Sequence, residues 1–215
     1  MWNGDFARYG GGVPRSGVVG NEGQLIVNTR NGQYYEDAMR GRLFSQSDTP
    51  LGLAIPIYTA TAIVGGSCVY NPPNSGVVVE LININIAYGS GTADFGAIGL
   101  MVRKDEVDGV DQITAIATTV PKNAYFSGGN ASRVLSTNAG TTTVVAGAAG
   151  DWVRTLATIN LEAATGTAHA TTVADVWFHG TKLLPPGVFA YLAATKASVA
   201  LYNKTVIWAE HPVVN

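Results

Sequence analysis

The chain has 215 residues, of which only 13% are charged, and its formal net charge is -2. About a quarter of the residues of a typical globular domain are charged, and the lack of any basic run argues against nucleic-acid binding as the main task. Between Leu51 and Ala93 the only charged side chain is Glu80, yet prolines and glycines interrupt this stretch before the ~20 apolar residues of a membrane span. The composition predicts either an unusually apolar single domain or a domain much of whose surface other protein covers.

Residues 1–50 are predicted to form an extended N-terminal arm. Seven glycines among the first 23 residues disfavour regular structure, and a short helix is predicted around Gln33–Met39, ending near Gly41. All five basic residues of this segment are arginines, mixed with aromatic residues, which is a composition typical of protein interfaces. The alternative is a disordered tail, but such tails are poor in aromatic residues. The predicted contact residues are Arg8, Tyr9, Arg30, Tyr34, Tyr35, Arg40, Arg42 and Phe44.

Residues 51–215 are predicted to form a β domain, because short apolar runs alternate with turn residues. The clearest alternation is Val78-Glu80-Ile82-Ile84-Ile86, with Asn83 and Asn85 on the other face. Further strands are predicted over 58–64, 95–103, 112–120, 141–146, 153–161, 173–179, 188–194, 199–202 and 205–210. About eight to ten strands at this spacing predict an all-β, two-sheet sandwich, for which a jelly roll is the commonest topology at this size.

No motif in the chain predicts catalysis, a cofactor or a metal. The three histidines form no paired ligand motif, and the nucleophile elbow and the phosphate-binding loop are both missing. The single cysteine, Cys68, is predicted to be a buried small hydrophobe. Trp177 and Trp208 lie in apolar runs and are predicted to pack in the core. We therefore expect a protein without enzymatic activity.

The densest run of charge, residues 103–111, is predicted to form a water-exposed hairpin tip with its turn at Asp108-Gly109. A calcium loop is the alternative, but the run lacks the ligand spacing of an EF-hand. The first residues of the chain lack the apolar core of a secretory signal, so we expect the protein to be made in a reducing cytoplasm.

The layout of the chain resembles that of structural proteins of tailed bacteriophages. It has a Gly-rich start, the segments Gly23–Val27 and Tyr34–Phe44, and then a weakly charged β domain rich in Ala, Thr and Gly. The resemblance is to the capsid decoration (cement) proteins in particular. It implies a homotrimeric β-sandwich at three-fold or quasi-three-fold positions on the outside of the capsid, where it ties neighbouring copies of the major capsid protein together.

The expected function is therefore that of a non-enzymatic virion protein that stabilises the assembled capsid, with the major capsid protein and its own copies as partners. It is expected on the capsid surface, after synthesis in the host cytoplasm, with neither nucleic acid nor membrane as a partner. The alternative is a receptor- or carbohydrate-binding module of a phage tail or baseplate. Its predicted contacts are Trp152, Tyr125 and Asp151.

Overall fold

The computed structural model describes most of the β domain and parts of the preceding segment. The described residues are 18–19, 25–26, 34–48, 52–58, 63–64, 68–92, 96–107, 110–111, 113–115, 121–124, 130–137, 141–144, 150–159, 161–164, 167–170, 173–196 and 199–213. Contacts within the chain divide it into two units, Met1–Glu36 and Asp37–Asn215. In the first unit, Val18–Val19 and Leu25–Ile26 pair as antiparallel strands. Helix α1 spans Tyr35–Met39, which confirms the predicted short helix.

Eight of the described strands form the two main sheets of the second unit. They are β1 (Leu43–Ser47), β2 (Cys68–Asn71), β3 (Val77–Ser90), β4 (Gly96–Lys104), β5 (Asp151–Ile159), β6 (Val173–Trp177), β7 (Val188–Ala194) and β8 (Leu201–Pro212). One sheet has the order β1-β8-β3-β6 and the other the order β2-β7-β4-β5, with all neighbours antiparallel. The two sheets pack face to face, which confirms the predicted all-β sandwich.

The order of the strands is that of a jelly roll. The first strand neighbours the eighth, the second neighbours the seventh, the third neighbours the sixth and the fourth neighbours the fifth. This pairing arises when one long antiparallel ribbon is wrapped into two sheets. Because β1 is a full member of the first sheet, the compact unit begins at Asp37 and not at the predicted residue 51. The last part of the predicted arm therefore belongs to the sandwich.

Short strands complete the structure. Three of them extend the two sheets: Lys122–Asn123 beside β1, Leu183–Leu184 beside β3, and Leu135–Thr137 beside β2. The others form small separate sheets: Ile63–Val64, Ile113–Ala115 and Thr141–Val144; Glu106–Val107 and Val110–Asp111; and Leu161–Ala164 and Thr167–Ala170. The predicted strands over 58–64, 112–120 and 141–146 lie partly outside the described residues.

A β-bulge in β3 breaks the alternation that the sequence predicted. Asn83 is opposite Ile207, whereas Leu81 is opposite Trp208, so Ile82 is the extra residue in β3. An extra residue moves the side chains before it to the other face. The buried side chains are consequently Val77, Val79 and Leu81 before the shift, and Ile82, Ile84 and Ile86 after it. The predicted alternation places Val78, Glu80, Ile82, Ile84 and Ile86 on one face. It is right from Ile82 onward and wrong for Val78 and Glu80, which are half-buried.

The core between the sheets includes aromatic residues from both ends of the unit. Phe44 of β1 is 2% exposed and stacks on Trp208 of β8, with ring centroids 6.1 Å apart. The prediction that Trp208 packs in the core is confirmed. The same prediction is wrong for Trp177, which is 45% exposed, because the alternation along β6 turns Asp175 and Trp177 away from the core that Ala174 faces.

A second apolar cluster is buried on the five-stranded sheet, which consists of β2, β7, β4, β5 and the short strand Leu135–Thr137. The cluster lies on the face of this sheet that points away from the core between the two sheets. Its members are Cys68, Tyr70, Met101, Phe189, Tyr191 and Ala193. As a result, β7 is buried at every position. A strand that is buried on both faces has no polar alternation, which explains why its sequence is a continuous apolar run.

Burial of Cys68 predicts a measurable loss of stability at alkaline pH. Burial raises the pKa of its thiol from 9.0 to about 12, so the unfolded chain loses this proton at a lower pH than the folded protein. The free energy of unfolding should therefore fall by about 1 kcal/mol between pH 9 and pH 10 from this group alone. Urea denaturation at the two pH values measures the loss. The Cys68→Ala variant should show a smaller loss, and an equal loss in both proteins would contradict the assignment.

Candidate functional site

The sheet of β1, β8, β3 and β6 has six strands when the short strands Lys122–Asn123 and Leu183–Leu184 are included. An open cleft of about 470 Å³ lies at one end of this six-stranded sheet, where β8 ends beside the starts of β1 and β3. Its walls are formed by Gly41, Arg42, Phe44, Val77, Asn130, Ala131, Arg133, Glu210 and Pro212. Two of these side chains are arginines and one is a carboxylate. The cleft is therefore a place in the described part of the sandwich where cationic side chains line a concave surface.

The turn after α1 places Arg42 at the cleft. Gly41 adopts a φ of 66°, the left-handed conformation that commonly ends a helix. The backbone N–H of Arg42 donates to the carbonyl of Asp37 (2.8 Å), and the carbonyl of Arg42 accepts from the N–H of Glu210 (2.9 Å). Both the N–H group and the carbonyl group of Arg42 are thus hydrogen-bonded, which fixes the backbone position from which its side chain extends.

Asn123 joins the two walls of the cleft. Its side-chain amide donates to the carbonyl of Gly41 (2.8 Å) on one wall and to that of Asn130 (3.0 Å) on the other. The first bond spans 82 residues of sequence and the second spans seven, so Asn123 ties the segment around Asn130 to the turn after α1.

Glu210 is the structural centre of the cleft. It is 5% exposed and accepts hydrogen bonds from the Ser132 hydroxyl (2.5 Å), the Arg133 backbone N–H (3.1 Å) and the Trp208 indole N–H (3.3 Å). A buried carboxylate with three donors is well satisfied. Its oxygens therefore anchor the segment 130–134 to β8, and they are poorly placed to act on a ligand.

The two guanidinium groups are the binding chemistry of the cleft. Arg133 is exposed and makes one long hydrogen bond from Nη1 to the carbonyl of Ser75 (3.5 Å), and Arg42 is half-buried. A guanidinium group presents donors in a planar fork that matches a carboxylate. With Glu210 already occupied by its own donors, the cleft suits an external carboxylate better than an external cation.

Next to the cleft, His211 lies between the segment of α1 and the outer face of the sheet. Its Nε2 atom is 3.0 Å from Glu80 Oε2, and its Nδ1 atom is 4.0 Å from Asp37 Oδ1. The 3.0 Å contact with Glu80 links β8 to β3, and the carboxylate of Asp37 in α1 lies nearby. This contact supports the position of the cleft wall.

The structure places the eight predicted contact residues in different environments. Arg8, Tyr9 and Arg30 lie outside the described residues. Tyr35 and Arg40 are exposed, and Tyr34 and Arg42 are half-buried. Phe44 is a correction: although it lies behind the cleft wall, its side chain points into the core in β1, where side chains alternate between the two faces. It is 2% exposed and stacks on Trp208, so it has almost no surface to offer a partner.

Two of the three predicted contacts of the carbohydrate-binding alternative, Asp151 and Trp152, lie next to each other on β5. Asp151 is exposed on β5, and Tyr125 lies outside the described residues. Trp152 packs on the backbone of Gly99, where a Cβ atom would lie only 2.2 Å from its ring. Its ring is nearly perpendicular to that of Tyr58, with the two ring centroids 6.4 Å apart. The indole of Trp152 is therefore largely used in covering its neighbouring strand.

The charged run 103–111 forms a hairpin, as predicted. Glu106 is opposite Asp111 and Val107 is opposite Val110, while the turn residues 108–109 lie outside the described part of the chain. Asp105 differs from the expected water-exposed state, because it is 6% exposed and accepts a hydrogen bond from the Tyr70 hydroxyl. Among the described residues, no group of three or more His, Cys, Asp or Glu side chains could hold a metal ion.

No described helix is long and apolar enough to cross a membrane. Comparisons with protein-family models, with curated proteins and with solved structures give no match. Jelly rolls occur in viral capsid proteins, lectins and enzymes alike, so the fold alone does not select a function. The function of this chain therefore depends on what its individual side chains can bind or catalyse.

Proposed function

We propose that this chain is a non-enzymatic structural protein of a phage virion that binds the assembled capsid and links neighbouring major capsid subunits. The observation that supports this most directly is the cleft with Arg42 and Arg133, which offers two guanidinium groups on a preformed concave surface. Such a surface suits an acidic segment of a partner protein, because each guanidinium group can hold a carboxylate by two hydrogen bonds.

The use of the buried charged groups favours binding over catalysis. Lys204 pairs with Asp48, Asp105 with Tyr70, and Glu210 with Ser132 and its neighbours. Each of these groups is satisfied by the fold itself. An acid–base catalyst needs a side chain that faces the substrate with a free lone pair or proton, and the walls of the cleft offer cations instead.

Binding to an assembled shell would stabilise that shell by mass action. A partner that binds the lattice but not the free subunits adds its binding free energy to the stability of the lattice. A homotrimer would present three clefts at once, so that the attachment becomes much stronger than one contact alone. The protein needs no chemical step to perform this task.

Reversal of charge in the cleft tests the proposal. The double variant Arg42→Glu/Arg133→Glu should bind empty capsids of the phage that encodes this chain at least about tenfold more weakly than the wild type, as measured by co-sedimentation. The matched control is Lys104→Glu, at the end of β4 and exposed, which should bind normally. Unchanged binding of the double variant would overturn the role of the cleft.

The role of the N-terminal arm in capsid binding is tested by a second variant in the same assay. Removal of residues 1–36, the first unit, leaves β1 intact and should preserve the circular dichroism spectrum of the sandwich while reducing capsid binding. If the wild type bound dissociated capsid subunits as tightly as assembled shells, the cement function itself would be rejected.

A further inference from the structure

The outer face of the six-stranded sheet carries an exposed tryptophan at its edge. Trp177 is the last residue of β6 and is 45% exposed. By contrast, Trp208 is fully buried and Trp152 is half-buried against Gly99. A large aromatic side chain that also carries a polar atom suits a surface contact when its orientation is fixed.

Hydrogen bonds fix the orientation of this indole. The Trp177 Nε1–H group donates to Asp175 Oδ2 (3.3 Å), and the other oxygen of Asp175 accepts from Asn83 Nδ2 (2.6 Å). Asn83 is only 3% exposed and belongs to the neighbouring strand β3. The indole is therefore held in one orientation before any ligand arrives, which lowers the entropy cost of binding.

His179 completes the surface in a strained conformation. Its ring stacks beside that of Trp177, with centroids 6.4 Å apart and an angle of 25° between the planes. It has a φ of 48° and is the only described residue other than glycine with a positive φ. Such conformations are costly and are found mainly where function requires them. Here the conformation keeps the imidazole next to the indole, where its ring nitrogens can meet a polar ligand.

We propose that Trp177, Asp175 and His179 form a binding site for a neutral sugar. The apolar C–H face of a pyranose ring would stack on the indole. Its hydroxyl groups would donate to the remaining lone pairs of Asp175 and exchange hydrogen bonds with the imidazole of His179. A mostly apolar surface with a few fixed polar groups is the usual composition of a small-ligand site.

A bidentate guanidinium group fits this surface less well than a hydroxyl group does. It would need both oxygens of Asp175 in the plane of the carboxylate, where each oxygen already accepts one bond, from Trp177 and from Asn83. A hydroxyl group needs only one of the remaining lone pairs. An acidic sugar is disfavoured because its carboxylate would lie close to that of Asp175. The site is separate from the arginine cleft, so it does not depend on the proposed capsid function.

The test begins with a glycan array that covers neutral hexoses, N-acetylhexosamines and deoxyhexoses, and it uses the full chain. Neutral glycans that bind are then titrated to about 10 mM, a range that detects dissociation constants near 1 mM, while the indole N–H signal of Trp177 is followed by NMR. We expect this signal to shift. The Trp177→Ala variant should bind at least about tenfold more weakly, and Asp175→Asn should also weaken binding.

The control is Leu183→Ala, because Leu183 is 55% exposed on the same edge of the sheet but carries no polar group. Its sugar binding should equal that of the wild type. The proposal is overturned if no neutral glycan binds, if Trp177→Ala binds as well as the wild type, or if only acidic glycans bind. A shift of the Trp177 signal caused by an arginine-rich peptide but by no glycan would also reject the sugar site and would indicate a protein contact instead.

Discussion

Replacement of Lys204 by methionine is expected to lower the free energy of unfolding by about 3–5 kcal/mol. Lys204 is 1% exposed, and its Nζ atom lies 2.8 Å from Asp48 Oδ2 and donates to the carbonyl of Leu53 (3.0 Å). Burial lowers the pKa of the Lys204 ammonium group, whereas the charge of Asp48 opposes this shift. Methionine keeps most of the packing but leaves the buried carboxylate of Asp48 without its cation.

Urea denaturation and thermal unfolding measure this loss. For a domain of this size each kcal/mol corresponds to roughly 2–4 °C in the melting temperature, so a drop of roughly 10 °C is expected. The double variant Lys204→Met/Asp48→Leu removes both charges and should recover most of the stability. A single variant as stable as the wild type, or a double variant less stable than the single one, would show that the ion pair is not what holds this region.

The second large effect is expected at Phe44, where the Phe44→Ala variant should lose about 3–5 kcal/mol of stability. The side chain is 2% exposed and stacks on Trp208, so its removal leaves a cavity between β1 and β8. The neighbouring substitution Arg42→Ala should change stability by less than about 0.5 kcal/mol, because surface positions contribute little.

The two variants together separate a core role from a contact role. Denaturation of both proteins in urea, followed by capsid co-sedimentation of both, gives the required comparison. A stable Phe44→Ala protein with weakened capsid binding would restore Phe44 to the contact surface. That outcome would contradict the core position derived from its burial.

The positions of most strands follow from local sequence. Val188–Ala194 was predicted to the residue, and β4 to within one residue at each end, because turn residues bound each run and the side chains between them are apolar or β-branched. The jelly-roll order was predicted only from the number and spacing of strands. Pairing such as that of β1 with β8 joins distant segments, and local patterns carry no information about it.

Three residues show why the rest was not predictable. The sequence places Lys204 in a break between two strands, whereas β8 is continuous there, because the distant Asp48 neutralises the buried ammonium group. Phe44 resembles an interface residue by composition, and only its position on β1 turns it inward. Trp177 lies in an apolar run that looks like core, and only the structure shows which face of β6 packs on the core.

The place of β8 between β1 and β3 also bears on how the chain folds. Ser47 and Thr205 share a hydrogen bond across 158 residues of sequence, so the middle of this sheet can form only after residues 201–212 are present. Pairing over such separations is slow, since the loop must close before any contact stabilises it. During synthesis β1 and β3 are made before β8, so the edges that pair with β8 stay unpaired until residues 201–212 are made. Unpaired strand edges of this kind make a nascent chain prone to aggregate.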